Sequence, residues 1–336
     1  MRFQEIAIMD GRRILSTGQV SPLVIEILSR FGRIEIAPKT DEGSLISLMR
    51  GTIALFVRGV TPVSAKVIES ADELKVIGRT GTGYENIDIA AATKRGIPVV
   101  FTPGAGARSV AEGTMAMILS LVKRIPELDR KTRCGEWDAR DKTIIGDLQG
   151  MRLGIIGLGR IGQEVTRLAR AFDIHVVAHD PRLSKETAES LGVELVQLND
   201  LLLSSDIISI HAPLNAGTRG MLDKQRLSLV KKGAILVNLA RGGLIESLDV
   251  IYEGLVSGQL LSVGLDVYPN EPPDISHPIF QHPNVLLTPH AMGLSVKSSH
   301  SIFSMASRGM ADVLEGRIPA NVVNPEVFHG NARGTR

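Results

Sequence analysis

Residues 153–163 read Leu-Gly-Ile-Ile-Gly-Leu-Gly-Arg-Ile-Gly-Gln, an apolar run followed by Gly157, Gly159 and Gly162 in G-x-G-x-x-G spacing. A helical pattern, Gln163 to Phe172, follows directly. Each glycine has a distinct physical use in this setting. Gly157 permits a tight turn, Gly159 lets backbone approach a pyrophosphate, and Gly162 lets helix and strand pack closely. Arg160 and Ile161 then present backbone N–H groups at the positive end of a helix dipole. A second strand, Ile174 to Ala178, runs to Asp180, 18 residues past Gly162 (180 − 162). An acid there can accept from the ribose hydroxyls of an adenosine. Strand, glycines, helix, strand and acid in register predict a dinucleotide site.

Three later segments place reactive side chains at the ends of apolar runs. Val237-Asn-Leu-Ala-Arg241-Gly-Gly offers a guanidinium, Val263 to Glu271 offers the carboxylates of Asp266 and Glu271, and Leu286-Leu-Thr-Pro-His290 offers an imidazole. In a doubly wound sheet ligands bind beyond the carboxyl ends of the strands, so these groups can converge on the nicotinamide end of a dinucleotide. Arg241 can hold a carboxylate as a forked pair. His290 can take a hydroxyl proton as hydride leaves, and Glu271 can stabilise the imidazolium. His175, His277, His282, His300 and His329 read as surface or packing residues, and His179 and His211 are given no chemistry. Trp137 and Cys134 read as packing residues.

The elements that must position these groups alternate along the whole chain. Before the glycine motif, strands are expected at Ile6–Met9, Ile34–Ile36, Ile53–Val57, Lys75–Ile77 and Val99-Val100. Helices are expected at Pro22–Arg30, Ser44–Met49, Val63–Ser70 and Ile87–Lys94. Thr102 to Arg108 breaks the pattern, and a long helix is expected from Ser109 to Arg130. From Met151 onward six strands are expected, at 152–156, 174–178, 206–210, 234–238, 261–265 and 285–287. A last helix, about Val296 to Leu314, leads to Pro-Ala-Asn-Val-Val-Asn-Pro325, which suits a return across the first domain.

The fold class is therefore α/β in two lobes, a doubly wound Rossmann domain and a smaller flavodoxin-like parallel α/β domain. The expected boundaries are 1–104 with 296–336 for a discontinuous substrate domain and 105–295 for the NAD-binding domain, with the active site in the cleft between them.

The 336 residues suffice for two cores, and 43% apolar with 22% charged content is ordinary for a globular protein. The net charge of +2, without a block of like charge, speaks against nucleic acid as a partner. The single cysteine cannot form an internal disulfide and fits a reducing cytoplasm. The N-terminus lacks the core of a signal peptide, and no apolar run approaches the ~18 residues of a membrane span. Metal-ligand spacing is absent, so no metal is expected, and without G-x-x-x-x-G-K-[ST] nucleotide hydrolysis is excluded.

Over roughly residues 50 to 325 the chain resembles the D-isomer-specific 2-hydroxyacid dehydrogenases, the group that includes phosphoglycerate dehydrogenase and hydroxypyruvate/glyoxylate reductases. The resemblance rests on Gly81-Thr-Gly83 with Asn86 and Asp88, Ala107-Arg-Ser-Val-Ala-Glu112, Arg133-x-Gly-x-Trp137, and the glycine motif with Asp180. It continues through His211-Ala-Pro-Leu214, Asn238-x-x-Arg-Gly242, Asp266-Val-Tyr with Glu271-Pro, and Thr288-Pro-His290. It implies an NAD-dependent enzyme, a homodimer acting on a small 2-hydroxy or 2-keto acid, with Arg241 binding substrate, Glu271 paired to His290, and His290 as the acid/base. It further implies that the backbone of Gly81, Thr82 and Gly83 cradles the substrate carboxylate, that Asp266 bonds the nicotinamide carboxamide, and that Thr114 lines the nicotinamide end. Departures are Glu246-Ser247 in place of Asp-Glu, Gly106 in place of Asn, and Tyr84-Glu85 beside the substrate loop.

Two other readings stand beside a hydroxypyruvate- or glyoxylate-type reductase. One is D-3-phosphoglycerate dehydrogenase, with Arg58 reaching a phosphate, although the 46 residues after His290 (336 − 290) leave no room for an appended regulatory domain. The other is an NAD(H)-sensing binding protein of the corepressor kind.

Overall fold

The computed structural model describes residues 11–329. The chain divides into two compact units, one running to Gly106 and resuming at Val296, the other Ala107–Ser295.

In the first unit the order is β1 (Arg13–Ser16), α1 (Pro22–Leu28), β2 (Arg33–Ile36), α2 (Glu42–Leu48), β3 (Thr52–Val57), α3 (Ala65–Glu69), β4 (Val76–Arg79), α4 (Ile89–Lys94) and β5 (Val99–Val100). These strands form an all-parallel sheet in the order β2-β1-β3-β4-β5, a flavodoxin-like arrangement. All six residues of β3 are buried, as a parallel strand covered on both faces requires. Asp41 and Asp88 cap α2 and α4, each accepting a backbone N–H at 2.9 Å.

β1 was not anticipated. Only Ile14 and Leu15 separate Arg12-Arg13 from Ser16, too short a run to stand out, yet both are fully buried. The strand expected at Ile6–Met9 lies outside the described residues.

The second unit opens with α5 (Ala107–Val122), α6 (Ile125–Arg133) and α7 (Ala139–Lys142), where one long helix was expected to reach Arg130. The break falls at Arg124, which adopts a left-handed conformation (φ 54°), followed by Ile125-Pro126. Then come β6 (Arg152–Ile156), α8 (Arg160–Ala169), β7 (His175–His179), α9 (Lys185–Ser190), β8 (Glu194–Leu195), α10 (Leu198–Ser204), β9 (Ile207–Ile210), α11 (Lys224–Leu229), β10 (Ala234–Asn238), α12 (Leu248–Val256), β11 (Leu260–Leu265) and β12 (Val285–Leu287). The sheet order β12-β11-β10-β9-β6-β7-β8 is doubly wound, with the strand order reversing at β6. Here seven strands stand where six were expected, because β8 is a two-residue edge strand with too little pattern to read.

Successive residues of these strands feed two cores. Leu153 and Ile155 of β6, with Ile235 and Val237 of β10, join one cluster, while Ile156 and Leu236 join the other. Both faces are covered, which is why the strands read as continuous apolar runs. Ser247, one of the departures from the family pattern, caps α12 by accepting from Val250 N at 3.3 Å.

The first unit is completed by α13 (Val296–Leu314). It lies against Gly78 of β4, where a Cβ would come within 2.1 Å of Met310 Sδ. The segment beyond it bridges Val322 antiparallel to Val100. Asn324, 1% exposed, accepts from Val99 N at 2.8 Å and donates to Ile97 O and Thr93 Oγ1 at 3.0 Å.

Candidate active site

The glycine loop leaves β6 with Gly157 in the positive-φ region (94°), where a Cβ would stand 2.7 Å from Ala212 N. At Gly162 a Cβ would meet Gly157 O at 2.3 Å, so the first turn of α8 can pack onto the loop only as glycine. Gly159 differs, for its Cβ direction is open space. It is also the residue before α8, so the first-turn N–H groups, those of Arg160 and Ile161 among them, receive no side-chain cap from it. Asp180, just past β7, is held by two backbone donors, Leu158 N to Oδ2 and Arg182 N to Oδ1, both at 3.0 Å. Each oxygen keeps a lone pair for a ribose hydroxyl. An open glycine face, uncapped helical N–H groups and a fixed acid together fit the diphosphate and ribose of a dinucleotide.

β10, β11 and β12 are neighbours in the sheet, so their carboxyl ends lie side by side. Beyond β10 the buried Asn238 braces the turn, its Oδ1 accepting from Ala240 N at 3.0 Å and its Nδ2 donating to Arg241 O at 2.9 Å. Arg241 donates from Nη1 to Ala240 O at 2.7 Å. Beyond β11, Glu271 accepts from Tyr268 N at 3.1 Å through Oε1, and its Oε2 lies 2.7 Å from His290 Nδ1. The Glu271–Pro272 peptide bond is cis. Burial pushes the Glu271 carboxyl up, but the His290 and Tyr268 hydrogen bonds and the charges of His290 and Arg241 outweigh it and hold it below the usual glutamate value. Arg241, Glu271 and His290 therefore form one electrostatic group.

His290 itself sits at φ 52°, a conformation that costs a non-glycine residue free energy unless its surroundings enforce it. Asp266 is part of that enforcement. It is 2% exposed and accepts from Thr288 Oγ1 at 2.6 Å, Ala291 N at 2.9 Å and Met292 N at 3.2 Å, pinning the loop on both sides of His290. Three of its acceptor positions are spent on protein donors, a role that residue type alone did not reveal. Thr114 lies one residue after Gly113, whose Cβ position would meet Met292 Cβ at 2.7 Å. It is fully buried in α5, and its hydroxyl donates to Val110 O at 2.8 Å.

His211, given no chemistry from sequence, has its Nε2 2.8 Å from Ser209 Oγ, and its Nδ1 is buried without a partner among the described residues. Burial pushes its pKa down to about 3, so it stays neutral at working pH. Among the described residues no group of three or more His, Cys, Asp or Glu could hold a metal ion, and no helix is long and apolar enough to cross a membrane.

In the first unit Gly81, Thr82 and Gly83 follow β4. Gly81 O accepts from Thr102 N at 3.1 Å, and Thr82 Oγ1 lies 3.4 Å from Thr102 O. Arg58 lies over the Phe303 ring, 4.9 Å from its centroid, and donates to Gln19 O.

A doubly wound dinucleotide unit, followed at adjacent strand ends by an arginine and a carboxylate–imidazole pair, places the protein among the nucleotide-linked α/β proteins. Residues 115–292 match the model of the D-isomer specific 2-hydroxyacid dehydrogenase NAD-binding domain. The chain is 40% identical over 313 residues to a D-3-phosphoglycerate dehydrogenase of Methanocaldococcus jannaschii, covering 93% of this chain but 59% of that one. It is 34% identical over 328 residues to a glyoxylate reductase of Aeropyrum pernix, covering 95% and 98%. A D-lactate dehydrogenase structure from Aquifex aeolicus, complexed with NAD and lactic acid, superposes with a TM-score of 0.85 at 26% identity, over 93% of this chain and 99% of that one. The chain belongs to the D-isomer specific 2-hydroxyacid dehydrogenase family, and its second unit contains the NAD-binding domain of that family.

Proposed function

We propose that the protein is an oxidoreductase that transfers a hydride between NAD(H) and a D-2-hydroxy acid or its 2-keto acid, of hydroxypyruvate or glyoxylate type. The observation that carries this reading is the 2.7 Å His290–Glu271 pair at a strand end beside that of Arg241. NAD(H), when bound, supplies or accepts the hydride, and Gly157, Gly159, Arg160, Ile161, Gly162 and Asp180 are the residues proposed to hold it. Arg241 holds the substrate carboxylate and polarises the carbonyl. His290 gives its proton to the carbonyl oxygen in reduction and takes it back in oxidation. Glu271, ionised and bonded to Nδ1, leaves Nε2 as the nitrogen that faces substrate and stabilises the charged imidazole. Asp266 is proposed to combine its pinning of the His290 loop with a bond to the carboxamide, and Thr114 to support the nicotinamide end by packing. The Gly81–Gly83 backbone is proposed as the carboxylate cradle.

NADH oxidation with glyoxylate, hydroxypyruvate, pyruvate, phosphohydroxypyruvate and bulky 2-keto acids tests this directly. No turnover with any of them points instead to an NAD(H)-sensing binding protein. Preference for phosphohydroxypyruvate gives the second reading, a D-3-phosphoglycerate dehydrogenase, which the 40% identical relative favours. Repeating the panel with NADPH tests the role of Asp180, whose charge repels a 2′-phosphate.

We also propose a cytoplasmic homodimer. Contrary to the packing role expected for them, Trp137 is 72% exposed and Cys134 exposed. Every residue of α6 is at least partly exposed, and Ile125, Trp137 and Ile144 leave apolar side chains open among its charged ones, a mixed surface suited to a second copy of this chain.

A further inference from the structure

Arg241, Glu271 and His290 follow three different strands, and one residue outside that group touches the support of each. Tyr268, 7% exposed, stacks on Phe280 with ring centroids 5.8 Å apart. Its backbone N–H donates to Glu271 Oε1 at 3.1 Å, which leaves Oε2 for His290. Its hydroxyl donates to Thr288 O at 3.0 Å, two residues before His290. Its backbone also presses on Gly242, the residue after Arg241, where a Cβ would come within 1.9 Å of Tyr268 C.

The hydroxyl contact falls where the loop needs it. Pro289 has no N–H to anchor the chain between Thr288 and the positive-φ His290. Asp266 secures Thr288 Oγ1 and the amides after His290, whereas the Thr288 carbonyl is secured by Tyr268.

We propose that Tyr268 is a positioning residue that holds the loops of Arg241, Glu271 and His290 in one frame, its hydroxyl acting specifically on the His290 loop. The proposal rests on the function proposed above. Any residue but proline could supply the two backbone contacts, but only a hydroxylated ring of this reach supplies the third. Burial, with the charges of Asp266 and Glu271, pushes the phenol up to about 12, so it stays a donor throughout the working range.

Tyr268→Phe keeps the ring and removes only the hydroxyl. In the full chain, kcat for 2-keto acid reduction should fall about tenfold with KM and NADH affinity nearly unchanged, because the fault lies in proton transfer at His290. The solvent isotope effect on kcat should rise. Hydrogen exchange at the Ala291 and Met292 amides should quicken while that in β6 and β10 stays as in wild type. A wild-type kcat in Tyr268→Phe overturns the proposal, whatever the exchange rates. So does a parallel loss of KM, NADH affinity and melting temperature, which would mark a packing role. Should the wild-type chain reduce no 2-keto acid, the functional reading fails, and amide exchange alone decides the pin: unchanged rates at Ala291 and Met292 overturn it.

Discussion

β4 in the first unit and β10, β11 and β12 in the second end alike, in short loops at the carboxyl edge of a buried parallel sheet, yet they expose different chemistry. After β4 come Gly81, Thr82 and Gly83, and what that loop offers is mainly backbone. After β10 to β12 come Arg241, Glu271 and His290, whose orientations depend on buried partners: Asn238, Tyr268 and Asp266. Backbone groups are positioned by the sheet that carries them. A side-chain group needs a further layer of hydrogen bonds, and the second unit contains that layer. The comparison predicts that substitutions in the side-chain group of the second unit cut activity far more than their cost in stability explains, and that structural joints of the first lose stability with kcat kept.

The largest effect should come from His290→Ala, which removes the proposed proton donor and should lower kcat/KM for 2-keto acid reduction by ~10²–10⁴. Steady-state kinetics check this, with NADH titration by fluorescence expected to be unchanged. Full activity in this variant would end the catalytic assignment.

Arg241→Lys should cost at least ~10² in kcat/KM, because an ammonium cannot reproduce the forked contact with a carboxylate. Lost NADH affinity, in place of lost substrate turnover, would move Arg241 out of the substrate site.

Glu271→Gln keeps the shape and removes the charge, so the loss should be smaller than in His290→Ala. Stability should change too. The Glu271 carboxyl is held below its ordinary value in the fold, so its ionised form stabilises the protein at neutral pH. That contribution disappears as pH falls through the folded-state value, below the usual glutamate range. Denaturation should therefore show wild type ahead by ~1–3 kcal/mol at pH 7 and the gap closing in acid. A constant gap would separate Glu271 from the charge pairing.

The complementary test lies in the first unit. Asn324→Ala removes the buried amide that ties the returning tail to Val99, Ile97 and Thr93, and should lower stability by ~2–4 kcal/mol while leaving kcat close to wild type. A kcat loss larger than the fraction unfolded would contradict the division of labour between the units.

Local pattern made much of this legible. The glycine spacing, the alternation of short apolar runs and helices, and the strand-end positions of Arg241, Glu271 and His290 depend on neighbours within a few residues. Elements with weak patterns were not legible: β1 with two core residues, the edge strand β8, and the turn at Arg124 that divides the expected long helix.

What the sequence determined by itself is where the strands, the helices and the candidate reactive side chains fall along the chain, because these are written in residue type and period. Only the tertiary structure decided how those residues are held. Asp266 reaches across to the amides of Ala291 and Met292, Tyr268 to the carbonyl of Thr288, and Asn324 to Val99, 225 positions away. Each is a hydrogen bond between segments that the folded chain brings together. No local period encodes such a bond, since its existence depends on the register and order of strands already packed.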